Sequence, residues 1–326
     1  MTDQLARAAE VLSGAKEVTL ACHVNPDTDA LGSMLGLSIL LRSRGANTVC
    51  SFANDPFVVP RWAEVLPGTD ALVPPKEFPT EPGIMATCDA ASMDRLGSLA
   101  TTAARAGELI WIDHHVSNEG LGTIPLIDPS ASSTCEMVYR LARAMGGELP
   151  DEAALCLYAG LVTDTGRFQY ASVRPDTLRV AAELREHPFD HTRLAQALYE
   201  DNATTYLKLL GVALHRITLA EQADLVWTYL TQADLADAGV HPSETDDLID
   251  IVRTARETDV AAVMKQQHDG RFRVSLRSRG GHDVSKVASI FGGGGHRLAS
   301  GYTSNHGLAG TVERLEAALR GDPVEP

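Results

Sequence analysis

Residues 110–115 read IWIDHH, an apolar, strand-like run that stops on an aspartate and two consecutive histidines. Neighbouring strand side chains point to opposite faces, so His114 and His115 cannot serve the same surface. Three more stretches share the layout of an apolar run ending in acids or histidines: ACHVNPDTDA at 21–30 (His23, Asp27, Asp29), ATCDAAS at 86–92 (Asp89) and GLVTDTGRF at 160–168 (Asp164). Open parallel sheets collect ligand-binding groups beyond the carboxyl ends of their strands, so His23, Asp89 and Asp113–His115 are expected to converge. Asp164 has to arrive from a helix end or the loop after it.

Around these stretches, short β-rich runs (EVTLACHV, NTVCSF, IMATCD, ELIWIDHH, TIPLID) alternate with helical patterns at about Asp29–Arg44 and Met93–Arg105. That alternation predicts an α/β fold with a mostly parallel, doubly wound sheet. Helical segments then dominate from Ser133 to about Glu186, opened by a capping-box pattern, Ser133-x-x-Glu136. Pro188 breaks the pattern, and a second set of strands (DLVWTYL, TDVAAVMKQQ, RFRVSLRS) predicts a smaller α/β domain. The expected division is 1–187 for the domain bearing the clustered acids and histidines, 188–218 for a helical connector and 219–326 for the second domain, with the active site in the cleft between the two.

Length and composition narrow the function. A chain of 326 residues with 44% hydrophobic residues can bury two cores. Its opening residues form an amphipathic helical pattern without a secretory layout, and no apolar run approaches the roughly 20 residues a membrane span needs, so no membrane partner and a cytoplasmic location are expected. The five cysteines are scattered and never spaced as CxxC, which argues against a disulfide framework and a structural zinc site. A net charge of −15 opposes binding of a long duplex, which depends on many Lys and Arg contacts. A nucleic-acid partner should be short.

Each polar stretch has a bland explanation on its own: Asp29 or Ser92 as a helix N-cap, His23 as a hydrogen-bonded strand end, NPDTD as a turn. Together they do not, because several carboxylates and imidazoles at one sheet edge repel and desolvate one another unless cations neutralise them. Mixed carboxylate and imidazole donors without thiolate suit a first-row divalent ion such as Mn²⁺, with Mg²⁺ or Co²⁺ as alternatives. The groups outnumber the needs of one ion. Two ions about 3.5–4 Å apart, bridged by a carboxylate and a water acidified to hydroxide, would use them in phosphoester hydrolysis.

In order, HxxxPDxD, the Asp of DAAS, the DHH triplet and the Asp of VTDTGRF resemble the four motifs of the DHH phosphoesterase superfamily. RSRG at 277–280 and FGGGGHRLASG at 291–301 resemble its DHH-associated C-terminal domain. The resemblance spans nearly the whole chain and, among subfamilies, is strongest to the bacterial oligoribonuclease and pAp phosphatase group. It implies two Mn²⁺ ions, one held by His23, Asp27 and Asp89 and the other by Asp29, Asp89, His114 and Asp164, with Asp89 as the bridge. It also implies a substrate-side His115, a supporting role for Asp113, and a homodimer. The substrates it implies are short RNA, pApA, cyclic dinucleotides and pAp.

In the C-terminal part, Gly292–Gly295 reads as a packed loop offering backbone N–H groups to an anion or a base, because Val287, Ile290 and Phe291 precede it at helical spacing. Residues 268–300 are locally basic, with Arg271, Arg273, Arg277, Arg279, Lys286 and Arg297 against Asp269 and Asp283. In a strand regular throughout, Arg271, Arg273, Arg277 and Arg279 would share one face. Arg277, Ser278, Arg279, Gly293, Gly294, Gly295 and His296 are the expected contacts to nucleotide base and phosphate. A RecJ-like single-strand exonuclease, a family-II pyrophosphatase and a nucleotide sensor without turnover are the competing readings.

Overall fold

The computed structural model describes residues 2–118 and 120–324, the side chain of Ser243 excepted. The chain divides into two compact units, 1–201 and 202–326. Among the described residues, no helix is long and apolar enough to cross a membrane. All five cysteines are free and buried.

The first unit runs α1 (Thr2–Gly14), β1 (Glu17–Cys22), α2 (Thr28–Ser43), β2 (Asn47–Ser51), β3 (Ile84–Cys88), α3 (Ala100–Ala103), β4 (Glu108–Asp113) and β5 (Ile124–Ile127). Four helices follow: α4 (Thr134–Met145), α5 (Asp151–Asp164), α6 (Pro175–Arg185) and α7 (His191–Tyr199). The five strands form one sheet in the order β2-β1-β3-β4-β5, parallel at every pairing. This order reverses direction between β1 and β3, and such a switch point opens a crevice at the carboxyl ends of those strands.

Both sheet faces are buried, which is why these strands read as continuous apolar runs. Ile110 and Ile112 of β4 join Leu20, Cys22, Ala86 and Cys88 in a core with α1, α2, α4 and α5. Leu109 and Trp111 face the other way, with Ala21, Met85, Leu96 and Leu99. The alternation in IWIDHH is therefore an alternation between two cores, and Asp113 follows Trp111 on its face.

The capping pattern at Ser133 is realised in half. Ser133 Oγ accepts from the Glu136 N–H at 3.0 Å, but the Glu136 carboxylate reaches one residue further back, accepting from the Ser132 N–H at 3.0 Å. The expected helix at 93–105 is mostly a 3-10 segment, Met93–Leu99, broken at Gly97 and followed by the single turn of α3.

The second unit comprises α8 (Thr204–His215), β6 (Thr218–Ala220), β7 (Leu225–Leu230), α9 (Gln232–Ala238), α10 (Leu248–Val252), β8 (Val260–Gln266), β9 (Phe272–Ser278), α11 (Val284–Ile290), β10 (Gly294–His296), β11 (Ala299–Ser304) and α12 (Leu308–Arg320). Its six-stranded sheet has the order β10-β11-β9-β8-β7-β6, antiparallel except between β7 and β8. The stretch 188–218 holds α7, which belongs to the first unit, and α8, which belongs to the second.

Candidate metal centre

His23 and Asp89 directly follow β1 and β3, whose last residues, Cys22 and Cys88, are register partners. Asp113 closes the adjacent β4, and Asp164 is the last residue of α5. The polar endings thus meet beside the β1/β3 switch point. Among the described residues, four of the five non-glycine positions with positive φ lie in these segments: Asn25, Asp89 (φ 59°), Arg167 and Phe168. Strain of this kind persists only where surrounding structure enforces it.

Asp89 organises the site. Its Oδ2 lies 3.5 Å from His23 Nε2, whereas its Oδ1 lies 3.6 Å from both His114 Nε2 and His115 Nδ1. One carboxylate therefore faces two histidine groups with different oxygens. In the first unit, donor atoms close enough to share an ion fall into the sets His23–Asp27–Asp89, Asp29–His114–Asp164 and Asp89–His114–His115.

The remaining bonds leave the correct atoms available. His23 Nδ1 lies 2.8 Å from the Val24 carbonyl, and its Nε2 faces Asp27 and Asp89. Asp27, rather than Asp29, caps α2: its Oδ1 accepts from the Ala30 N–H at 3.0 Å, and its Oδ2 stands 3.7 Å from His23 Nε2; Ser92 precedes the 93–99 segment without a side-chain capping bond. Asp29 is buried, and its two oxygens accept from the N–H groups of Thr134 (2.6 Å) and Cys135 (2.9 Å) at the start of α4. Helix α5 passes so close that a Cβ on Gly160 would lie 2.3 Å from Cys135 Sγ and 2.9 Å from Asp29 Cα.

The charges of the cluster do not balance by themselves. Burial and then the charge of Asp89 push Asp29 up to about 7. Burial alone would lower His23, but hydrogen bonding and attraction from Asp27 and Asp89 raise it to about 10. Against its own burial, Asp89 is held below the usual carboxylate range by His23, His114 and His115. Positive charge placed among these oxygens relieves both strains, and the imidazole and carboxylate donors suit divalent first-row ions. The residues present fit such ions.

Residues 17–161 match the family described as "DHH family, N-terminal domain", and residues 224–320 match the DHHA1 domain. The chain belongs to the DHH family. A bifunctional oligoribonuclease and PAP phosphatase NrnA of Thermus thermophilus is 32% identical, over 98% of this chain and 94% of its own length. The protein of the same description from Bacillus subtilis is 31% identical over 87% of this chain and 88% of its own. A solved structure described as an exopolyphosphatase-related protein from Bacteroides fragilis superposes with a TM-score of 0.92 at 25% identity, covering 98% of this chain and 96% of that one.

Around the site, three residues escape a reading of motifs, Asn118, Thr134 and Arg95. Asn118 Nδ2 donates to Asp113 Oδ2 at 2.7 Å, and Thr134 Oγ1 donates to Asp89 Oδ1 at 2.9 Å. Arg95 Nη2 stands 3.1 Å from His23 Nδ1, and Arg167 stacks 3.9 Å over the Tyr199 ring. Neither arginine makes an ion pair with a carboxylate among the described residues. Arg167 was legible from its place after Asp164; the others have no sequence signal beyond proximity to a motif.

In the DHHA1 segment, β9 covers only Phe272–Ser278. Arg273 and Arg277 share its outer face, but Arg271 and Arg279 lie beyond its ends, which corrects the expected four-arginine row. Arg271 pairs with Asp269, and Arg279 Nη1 donates to the Ala255 carbonyl at 3.0 Å. Ser278 is buried; its hydroxyl donates to Asp259 Oδ2 (2.8 Å) and accepts from the Gly280 N–H (3.0 Å). The glycine run is packed structure: the Gly293 N–H donates to the Ala288 carbonyl (2.9 Å), and Gly294, Gly295 and the exposed His296 form β10 at the sheet edge. A Cβ at Gly293 would lie 2.2 Å from the Gly301 carbonyl oxygen, so only glycine fits there.

Proposed function

We propose that this chain hydrolyses phosphoester bonds in short 5′-phosphorylated nucleotides: nanoRNA, pApA or cyclic dinucleotides to mononucleotides, and pAp to AMP. The observation that carries the reading is the divided Asp89 carboxylate, with Oδ2 toward His23 and Oδ1 toward His114 and His115. A carboxylate so placed suits a bridge between two divalent ions. His23, Asp27 and Asp89 would hold one, and Asp29, Asp89, His114 and Asp164 the other, with Mn²⁺ the ion we propose. When bound, such a pair supplies an acidified water and neutralises charge on the phosphate.

The chain's own groups supply the rest. His115, whose imidazole is raised in pKa against its burial by Asp113 and Asp89, holds a proton at Nε2 for the leaving oxygen, because its Nδ1 is committed to Asp113 at 2.6 Å. Arg95 and Arg167 meet phosphate oxygens. In the second unit, Arg277, Arg279, Gly293 and the edge strand β10 (Gly294–His296) hold base and phosphate, with Ser278 bracing the turn beside them. The NrnA relatives, described as oligoribonuclease and PAP phosphatase, support the short-RNA and pAp substrates, and a cyclic-di-AMP phosphodiesterase relative supports the cyclic dinucleotide. The NrnA relation covers almost the full chain, which favours this reading over a RecJ-like exonuclease.

The test is product analysis with Mn²⁺ on pAp, pApA, cyclic di-AMP, two-to-five-nucleotide RNA and a long single strand. Turnover of the short substrates, abolished by Asp89→Asn, is expected. Binding without product would instead establish a sensor, and efficient digestion of the long strand a processive nuclease.

A further inference from the structure

Thr134, the first residue of α4, is buried and is the one described residue that hydrogen-bonds both Asp29 and Asp89. Its N–H donates to Asp29 Oδ2 and its hydroxyl to Asp89 Oδ1. The second bond matters because the terminal torsion of an aspartate is soft. A carboxylate free to turn about that torsion would not keep one oxygen toward His23 and the other toward His114.

Thr134 is itself held rigidly. The Ser133 hydroxyl caps α4, and the buried Glu136 carboxylate ties the corner down by accepting from the Ser132 N–H and hydroxyl, from Thr177 Oγ1 at 3.1 Å and from Arg140. The hydroxyl that meets Asp89 therefore sits on a fixed helix start. A threonine that only began the helix would need neither bond to a clustered carboxylate, since Ser133 already provides the cap.

We propose that Thr134 is a positioning residue of the metal centre: its hydroxyl locks the Asp89 carboxylate in the orientation that gives each oxygen its own cation subsite. The proposal rests on the two-ion reading above. Partners that orient ligand side chains change metal affinity about 10–100-fold when removed.

The experiment is Mn²⁺ titration of the chelator-treated full-length protein, followed by electron paramagnetic resonance of the free ion, alongside the melting temperature without metal. Thr134→Val keeps the shape and the N–H but removes the hydroxyl. It is expected to weaken at least one of the two Mn²⁺ equivalents about 10–100-fold, while Thr134→Ser retains wild-type affinity. Wild-type affinity for both equivalents in Thr134→Val overturns the proposal and leaves the two-ion reading intact; a wild type that takes up no Mn²⁺ overturns that reading itself. Should Thr134→Val fail to fold, Thr134→Ala carries the same expectation and the same overturning result.

Discussion

His115 Nδ1 lies 2.6 Å from Asp113 Oδ1, so the buried aspartate at the end of β4 orients the second histidine of the pair rather than the first. His114 instead directs Nε2 toward Asp164 Oδ2 at 3.4 Å and Asp89 Oδ1 at 3.6 Å. The two imidazoles, 4.9 Å apart between centroids and steeply inclined, thereby have different partners beyond the Asp89 oxygen they share.

That separation predicts different losses. His114→Ala should lower Mn²⁺ occupancy, measured by elemental analysis after gel filtration. His115→Ala should keep its metal and lose kcat by about 10²–10⁴-fold, the range of general acid–base contributions. Equal loss of metal in the two variants would show that the division is wrong.

Gly160→Ala tests the close approach of α5 to the site. The added methyl would meet Cys135 Sγ at 2.3 Å and the Asp29 backbone at 2.9 Å, the second a contact that no rotamer change relieves. Overpacking of this kind costs about 1–3 kcal/mol. Urea denaturation should show that loss, and Mn²⁺ affinity should fall with it because Asp29 moves.

Glu136 is fully buried and accepts from Ser132, Thr177 and Arg140. Glu136→Ala removes the acceptor and leaves the Ser132 and Thr177 donors unmatched, while Arg140 keeps Asp128 at 2.8 Å, so a loss of about 1–3 kcal/mol is expected. Glu136→Gln keeps an acceptor oxygen and should lose less. Chemical denaturation of the two variants side by side decides; equal stability to wild type in Glu136→Ala would refute the anchoring role.

Asp259 predicts a pH dependence away from the metal centre. Burial would raise its pKa, but hydrogen bonds from the Gly281 N–H, Ser278 and His282 lower it from 3.8 to about 2. A depressed folded-state pKa stabilises above the unfolded value and loses that contribution as pH falls through the folded value. The gain is about 2 kcal/mol above pH 4, shrinking toward pH 2. Denaturation of Asp259→Asn against wild type should show the gap at pH 5–7 and its narrowing in acid; a gap independent of pH would exclude the linkage.

How much of this was readable from residues alone varies along the chain. Apolar runs ending in Asp or His identified the strands of the first sheet and the groups at their ends, because a parallel sheet buried on both faces imposes continuous hydrophobicity and confines polar chemistry to strand termini. The helix at Thr28–Ser43 was legible for a similar reason, lying one residue from its expected start. The segment at 93–105 was not: its composition is helical, but Gly97 adopts a backbone outside the helical region and divides it. The arginine row in the second unit failed because strand length depends on pairing, and β9 ends at Ser278, where the hydroxyl turns inward to Asp259.

The sequence by itself determined the α/β class, the family and which acids and histidines end the strands, since these depend on residue type, order and local period. Only the tertiary structure decided which histidine Asp113 serves, which oxygen of Asp89 faces which group, and that Thr134 and Asn118 belong to the site. Those relations depend on side-chain direction across elements distant in the chain: Thr134 reaches Asp89 over a separation of 45 residues, and no local pattern encodes that meeting.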